Sequence, residues 1–263
     1  MTRLAKKLGF YASVFVLVSP AVLVFLWMIS LSLKNELDNT AFPPVFIPDP
    51  PTLKNYIDVF AQNNFALYLW NSILVTGGAV LIGLAVGVPA GYGIARGKAT
   101  KFAILILVAR MTPALSYLIP LFLLIFGITD INKIAIASFG AMLIVLFNSA
   151  YGVMNAKKTR VMAAQIMGVS KWHVFKDVML MESLAQTFVG LRSAVSMALV
   201  IVIVAEMFIG SENGLGHRII DAQQVFNVKE MYTSILVTGA LGYLLNLLFL
   251  LAEKKLIHWS GKA

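Results

Sequence analysis

Little in this sequence is equipped for covalent chemistry. There is no cysteine, which excludes thiolate nucleophiles, disulfides and thiolate metal sites. The three histidines, His173, His217 and His258, lie outside the long apolar runs, and no His-Glu-x-x-His motif or intramembrane aspartate pair is present. No G-x-x-x-x-G-K-[ST] loop occurs, and Gly91, Gly93 and Gly97 have the wrong spacing for a dinucleotide fingerprint. The 12 methionines are scattered and read as core filler, not as a metal cluster. The chain therefore reads as a non-enzyme with no catalytic residue and no metal site. What remains are single polar side chains inside apolar runs: Arg110, Asn148 and Glu206. A polar or charged group at membrane depth is costly and is by default a functional candidate. Arg110, in Val108-Ala109-Arg110-Met111-Thr112-Pro113, would attract an anionic solute or pair with Glu206; alternatively it snorkels toward the face carrying Lys101. Asn148, next to Ser149, would hydrogen-bond a solute or join two helices. Glu206 precedes a glycine-bounded loop, Gly210 to Gly216, that reads as an outer gate or as a plain turn.

The elements that must position these residues are membrane spans. Of 263 residues, 59% are hydrophobic and 13% charged, and the mean hydropathy is +0.85. Soluble domains are about a quarter charged. The apolar excess falls in blocks of roughly 20 residues, the length that crosses a bilayer. Six spans are predicted, at roughly 10–33, 70–94, 102–126, 132–153, 188–209 and 232–252, each helical because lipid leaves no partner for an unpaired backbone group. Gly83, Gly87 and Gly91 recur four apart and share a face, a helix-packing pattern. Pro89, Pro113 and Pro120 are expected to bend their helices.

Most of the 21 Lys and Arg residues fall in one alternating set of loops, from Arg3, Lys6 and Lys7 through Arg96 and Lys157–Lys176 to Lys254 and Lys255. The positive-inside rule then places both termini in the cytoplasm. The net charge of +9 is a topology signal, and no basic stretch interleaved with stacking aromatics points to nucleic acid. The outer loop 34–69 begins with Pro43, Pro44, Pro48, Pro50 and Pro51, which demand extended chain; its second half, Leu53–Phe60, has helical apolar spacing.

The inner loop 154–187 carries the most information. Lys157–Met167 favours helix, Gly168 ends it, and Ser170 can cap a second helix. Val169, Trp172, Phe175, Val178 and Met179 fall on one face, whereas Lys171, His173, Lys176 and Asp177 are polar. This is a helix–glycine–helix hairpin, greasy on one side and basic on the other. It would either lie on the lipid headgroups or present a knob to a soluble partner.

Ala163-Ala164-x-x-x-Gly168, followed by aromatic and aliphatic positions and then Val189-Gly190-Leu191-Arg192, resembles the EAA loop of importer-type ABC transporter permeases. Ala205-Glu206-Met207 and Gly214-Leu215-Gly216 are similar to the nitrate, taurine and alkanesulfonate branch. Leu53-Lys54-Asn55-Tyr56, Asn71-Ser72 and Ala90–Arg96 are similar to the maltose-type sugar branch. The sequence departs from the EAA pattern at Met162, where the family has Glu, at Met167, and at Met181 and Ala185, where prolines are usual. The resemblance implies an all-α integral membrane protein: a single permease domain over 1–263, a type I importer bundle of six transmembrane helices, and a cytoplasmic coupling hairpin between the fourth and fifth. It implies that Ala163 and Ala164 pack helices closely, that Gly168 makes the turn, and that Val169, Ser170, Lys171 and Trp172 form the knob that docks on a cytoplasmic ATPase subunit. Further implied partners are a second permease, identical or paralogous, and an extracytoplasmic solute-binding protein. ATP and magnesium would sit on the ATPase, with no cofactor on this chain. The setting is a bacterial or archaeal cytoplasmic membrane, and the solute a small anion or else a sugar or polyol. An ion-driven secondary transporter, or a channel-like subunit, is the rival class. Such carriers often have ten or more spans built from repeats, and neither rival gives the hairpin a role.

Overall fold

The computed structural model describes residues 3–61, 64–97, 100–111, 114–210 and 213–257, and among them every regular element is helical. Among the described residues five helices are long and apolar enough to cross a bilayer: Lys7–Leu33, Phe65–Ala95, Asp130–Met154, Lys171–Ile209 and Val228–Leu256. Within the expected third span, 102–126, the described residues form α5 (Thr100–Met111) and α6 (Ala114–Phe126). Pro113 itself lies outside the described residues. Pro20, Pro89 and Pro120 lie inside continuous helices.

The chain divides into two compact units. The first comprises 1–66 and 218–239. Here α1 (Arg3–Leu33) packs against α3 (Lys54–Ala61), the short helix expected in the second half of the outer loop. Between them come α2 (Glu36–Thr40) and a proline-rich stretch without helix. The last carbonyls of a helix have no intrahelical donor. Buried Asn55 of α3 answers this: its Nδ2 donates to the Ser32 and Lys34 carbonyls at 2.7 and 2.8 Å. The Ser32 hydroxyl meets Tyr56 Oη at 2.9 Å. Lys34 is buried over the Trp27 ring, 4.3 Å from its centroid. Burial pushes the Lys34 ammonium below its usual pKa, and Asp38 pulls in the opposite direction. Asn227 starts α12 (Val228–Leu256): its Oδ1 accepts the Glu230 amide at 3.3 Å, and its Nδ2 donates to Glu230 Oε2 at 2.8 Å. Glu230 also pairs with Arg218, and Lys229 with Glu36 at 3.1 Å.

The second unit comprises 67–217 and 240–263. Its core is α7 (Asp130–Met154) against α10 (Leu180–Ile209). Without water to drive apolar burial, helices in lipid associate by close packing, which favours small residues. Ala137, Ala141, Ala194, Ala198 and Ala205 are all fully buried. Hydroxyls add to this: Ser149 and Thr187 meet at 3.2 Å across the pair. On the other side of α7, α4 (Phe65–Ala95) presents Gly83, Gly87 and Gly91. A Cβ on Gly83 would stand 2.9 Å from the Met142 amide nitrogen, and one on Gly87 2.9 Å from the Met142 carbonyl oxygen. One on Gly91 would collide with the Leu146 carbonyl. Arg192 pairs with Glu253 at 3.7 Å, so Glu253 is not merely the solvated helix end that its lysine neighbours suggest.

Gly91→Val is expected to destabilise the bundle by about 1–3 kcal/mol through overpacking. Gly93→Ala, two residues on, meets open space and should leave the protein as stable or slightly more so. Thermal unfolding in detergent compares the two.

Candidate functional site

The polar candidates gather at the two ends of one helix. Residues Lys171–Ile209 run as 39 continuous helical residues: α9 (Lys171–His173), a π-helical turn over Val174–Met179, and α10. At roughly 1.5 Å per residue this is about 58 Å from end to end.

At the first end stands the hairpin. Helix α8 (Lys158–Ile166) ends in Gly168 at φ +75°. The Val169 amide donates to the Ala164 carbonyl at 3.1 Å and the Gly168 amide to the Gln165 carbonyl at 3.0 Å. That pair of bonds is the Schellman closure, which needs a residue tolerant of positive φ at the turn. Ser170 caps the next helix: the His173 amide donates to its Oγ at 3.4 Å, and that hydroxyl meets His173 Nδ1 at 2.8 Å. Ala164 is half-buried, whereas Ala163, Gly168, Val169, Ser170, Lys171 and Trp172 are exposed. The expected second hairpin helix is not separate; it continues straight into the fifth span. The expected greasy face also shifts. Val174 is the buried anchor at 3% exposure, while Trp172 is 64% exposed. The π turn inserts an extra residue, so positions that share a face at α-helical spacing no longer do. Phe175 packs on Tyr92 of α4, ring centroids 4.1 Å apart, with Trp172 5.5 Å beyond. Arg160 of α8 pairs with Glu182 of α10, a tie that loop-charge counting does not reveal. The hairpin is thus anchored at Val174 and Phe175 and bare at its tip.

At the second end is a polar knot. Glu206 is fully buried. The Ser72 hydroxyl faces both its carboxylate oxygens, at 2.9 and 3.1 Å, and the Gly216 amide donates to Oε2 at 2.9 Å. The Leu215 amide donates to Ser72 Oγ at 3.0 Å. These amides open α11 (Leu215–Gln224), where a carboxylate is favoured by unpaired N–H groups and the helix dipole. One residue earlier, the Asn213 carbonyl accepts from Lys133 Nζ and Asn71 Nδ2, both at 3.3 Å. Lys133 is buried and pairs with Asp130. The sequence marks Asn71-Ser72 only as a family motif and Lys133 only as a loop charge; none of them interrupts the middle of an apolar run, so none reads as a partner of Glu206.

Midway between the ends, Asn148 Oδ1 accepts from Gln186 Nε2 at 3.1 Å, and its Nδ2 donates to the Ile144 carbonyl at 2.9 Å. Gly190 lies against the Asn148 side chain. Asn148 therefore joins α7 to α10. The Arg110 side chain lies outside the described residues, and with it the expected pairing to Glu206. A cavity of about 760 Å³ between α4, α10 and α12 is apolar apart from Thr76 and Thr187, with nothing to hold a charged solute.

Residues 79–257 match the family model for binding-protein-dependent transport system inner membrane components. The chain is 28% identical over 252 residues to the putative aliphatic sulfonates transport permease protein SsuC of Bacillus subtilis, covering 93% of this chain and 87% of that one. It is 26% identical over 253 residues to the taurine transport system permease protein TauC of Escherichia coli, covering 92% and 88%. Among solved structures, an inward-facing form of the MetNI methionine ABC transporter matches with a TM-score of 0.63 at 17% identity, covering 73% of this chain and 94% of that one.

Val174→Asp should loosen the hairpin, because it places an unpaired charge in a buried position. Limited trypsin digestion at Lys171 and Lys176 should accelerate. Trp172→Ala should change stability by no more than about 0.5 kcal/mol, as expected for an exposed side chain.

Proposed function

This chain belongs to the family of binding-protein-dependent transport system inner membrane components, the permease components of ABC importers, and we propose that it forms the solute pathway and couples it to a separate ATPase through the 158–173 hairpin. The observation that carries this reading is the contrast along the hairpin, with Val174 buried and Gly168 to Trp172 exposed. A tip that neither packs on its own bundle nor is paired by it suits a docking knob. Its base is anchored to a helix that runs the length of the bundle, so a push at the tip reaches the far end as rigid-body motion. Lys171 and the neighbouring basic residues suit an acidic groove on the partner.

ATP hydrolysis falls to the partner subunit, since this sequence has no phosphate-binding loop. In this reading a solute-binding protein delivers cargo at the opposite face, and two permeases enclose the route. That fits the uniformly apolar cavity within one chain, which offers a charged solute no partner. The preferred solute is a small organic or inorganic anion: sulfonates and taurine are what the names of SsuC and TauC specify, and Arg110 supplies a cation within an apolar run. The termini lie in the cytoplasm, on the side of the basic loops.

Co-purification from the native host in mild detergent should recover an ATPase subunit with this chain; transport by the purified chain alone, driven by an ion gradient, overturns the assignment. Gly168→Asn should keep both the turn and the uptake, because asparagine tolerates positive φ. Gly168→Asp, of similar size but charged, should abolish ATP-driven uptake while leaving membrane insertion intact. Arg110→Ala should reduce uptake of an anionic solute, measured as initial rate in whole cells; normal flux would exclude a solute role for Arg110.

A further inference from the structure

The Ala-Glu, Gly-Leu-Gly and Asn-Ser motifs, far apart in sequence, meet at the end of α10 remote from the hairpin. We infer that Glu206 is a positioning residue: its buried carboxylate latches segment 213–216 and the start of α11 onto the bundle, and the permease must release this latch to open its pathway on that side. The inference rests on the reading of this chain as a pathway-forming permease, and it assigns Glu206 to the gate, not to the solute.

Three observations converge. First, the carboxylate is spoken for: Ser72 and the Gly216 amide occupy it, and Glu206 has no exposed surface with which to meet a solute. Second, the segment is shaped around it. Gly214 has φ +141°, and a Cβ built there would overlap the Glu206 carboxyl group. A Cβ on Gly216 would stand 2.8 Å from Glu206 Cβ. Gly214 is therefore required by the glutamate, and Gly216 by the α10 backbone at Ile203 together with the Glu206 side chain. Third, the segment is held from three helices at once. Ser72 and Asn71 come from α4, Lys133 from α7 and Glu206 from α10, with the Asn213 carbonyl and the Leu215 and Gly216 amides as their targets. Leu215 is itself fully buried beneath these bonds. Gly210 at φ +74° ends α10 in a backbone state that glycine adopts without strain. A clamp of few directional bonds, closed around backbone groups and bounded by a glycine, has two discrete arrangements rather than a continuum. It sits on the helix that carries the hairpin, so one rigid element touches both handle and latch.

The absence of cysteine makes the test direct. Leu215→Cys is introduced into the full chain, assembled with its ATPase, in proteoliposomes, and its reaction with a membrane-impermeant maleimide is timed. The latch predicts slow labelling in the nucleotide-free complex and about tenfold faster labelling after trapping with ATP and vanadate. Adding Glu206→Gln, which keeps shape and loses charge, should give fast labelling without nucleotide and little further gain on trapping. Solute-independent ATP hydrolysis should rise and solute uptake should fall. Ser72→Ala, a milder change, should move labelling in the same direction and serves if the glutamine variant fails to assemble. Labelling that ignores the trapped state in the parent, or that Glu206→Gln leaves unchanged while uptake falls, overturns the latch; the second result would return Glu206 to the solute. Faster labelling with uptake and ATP hydrolysis unaffected also overturns it, by making the knot purely structural. The maleimide reaction of the nucleotide-free chain needs no ATPase. Loss of ATP-driven uptake in the unsubstituted, cysteine-free chain would therefore count against the permease reading, and not against the latch.

Discussion

Hydrocarbon supplies no hydrogen bonds, and that single deficiency organises this protein. Every backbone amide and every polar side chain at membrane depth must find its partner inside the chain. The consequence is visible at several of the buried polar groups. Ser149 meets Thr187, Asn148 meets Gln186 and the Ile144 carbonyl, and Glu206 collects a hydroxyl and an amide. Such bonds form only if the helices come close. The fully buried alanines of α7 and α10, and the glycines of α4 that accept α7 backbone where a Cβ would stand, are what permit that approach.

Close approach also makes the bundle stiff, which bears on how it could act as a machine. Packed interfaces switch between arrangements rather than deform gradually. The 39-residue helix from Lys171 to Ile209 carries a bare tip at one end and a buried carboxylate at the other. Its one irregularity, the π turn at Val174–Met179, lies where the hairpin joins the bundle, and it sets which residues anchor and which protrude. Irregular turns of this kind concentrate at functional positions because they re-aim side chains at a local cost. In the proposed function the family membership, the anchored hairpin and the polar knot are parts of one arrangement, in which load enters at one end and is resisted at the other.

Much of this was legible in the sequence because it depends on local properties. Apolar block length marks the spans, the proline cluster marks the extended part of the outer loop, and the Leu53–Phe60 spacing marks α3. The turn at Gly168 and the cap at Ser170 follow from residue type alone, since positive φ and an exposed amide each select a particular side chain. The Gly83, Gly87 and Gly91 stripe could be placed on one face, though not against α7. Loop charge argued for an orientation by the same local logic.

What tertiary structure decided is which distant residues meet. The sequence marked Glu206 as a pathway candidate or a partner of Arg110. Only the fold brings Ser72, 134 positions away, to its carboxylate. The sequence drew the hairpin face at α-helical spacing, whereas the buried anchor is Val174 at the start of the π turn, because which residue a hairpin buries depends on how it packs and not on composition. One dimension of sequence fixes the period and polarity of each element; the pairing of buried polar groups is fixed by the geometry of their approach, which no single segment contains.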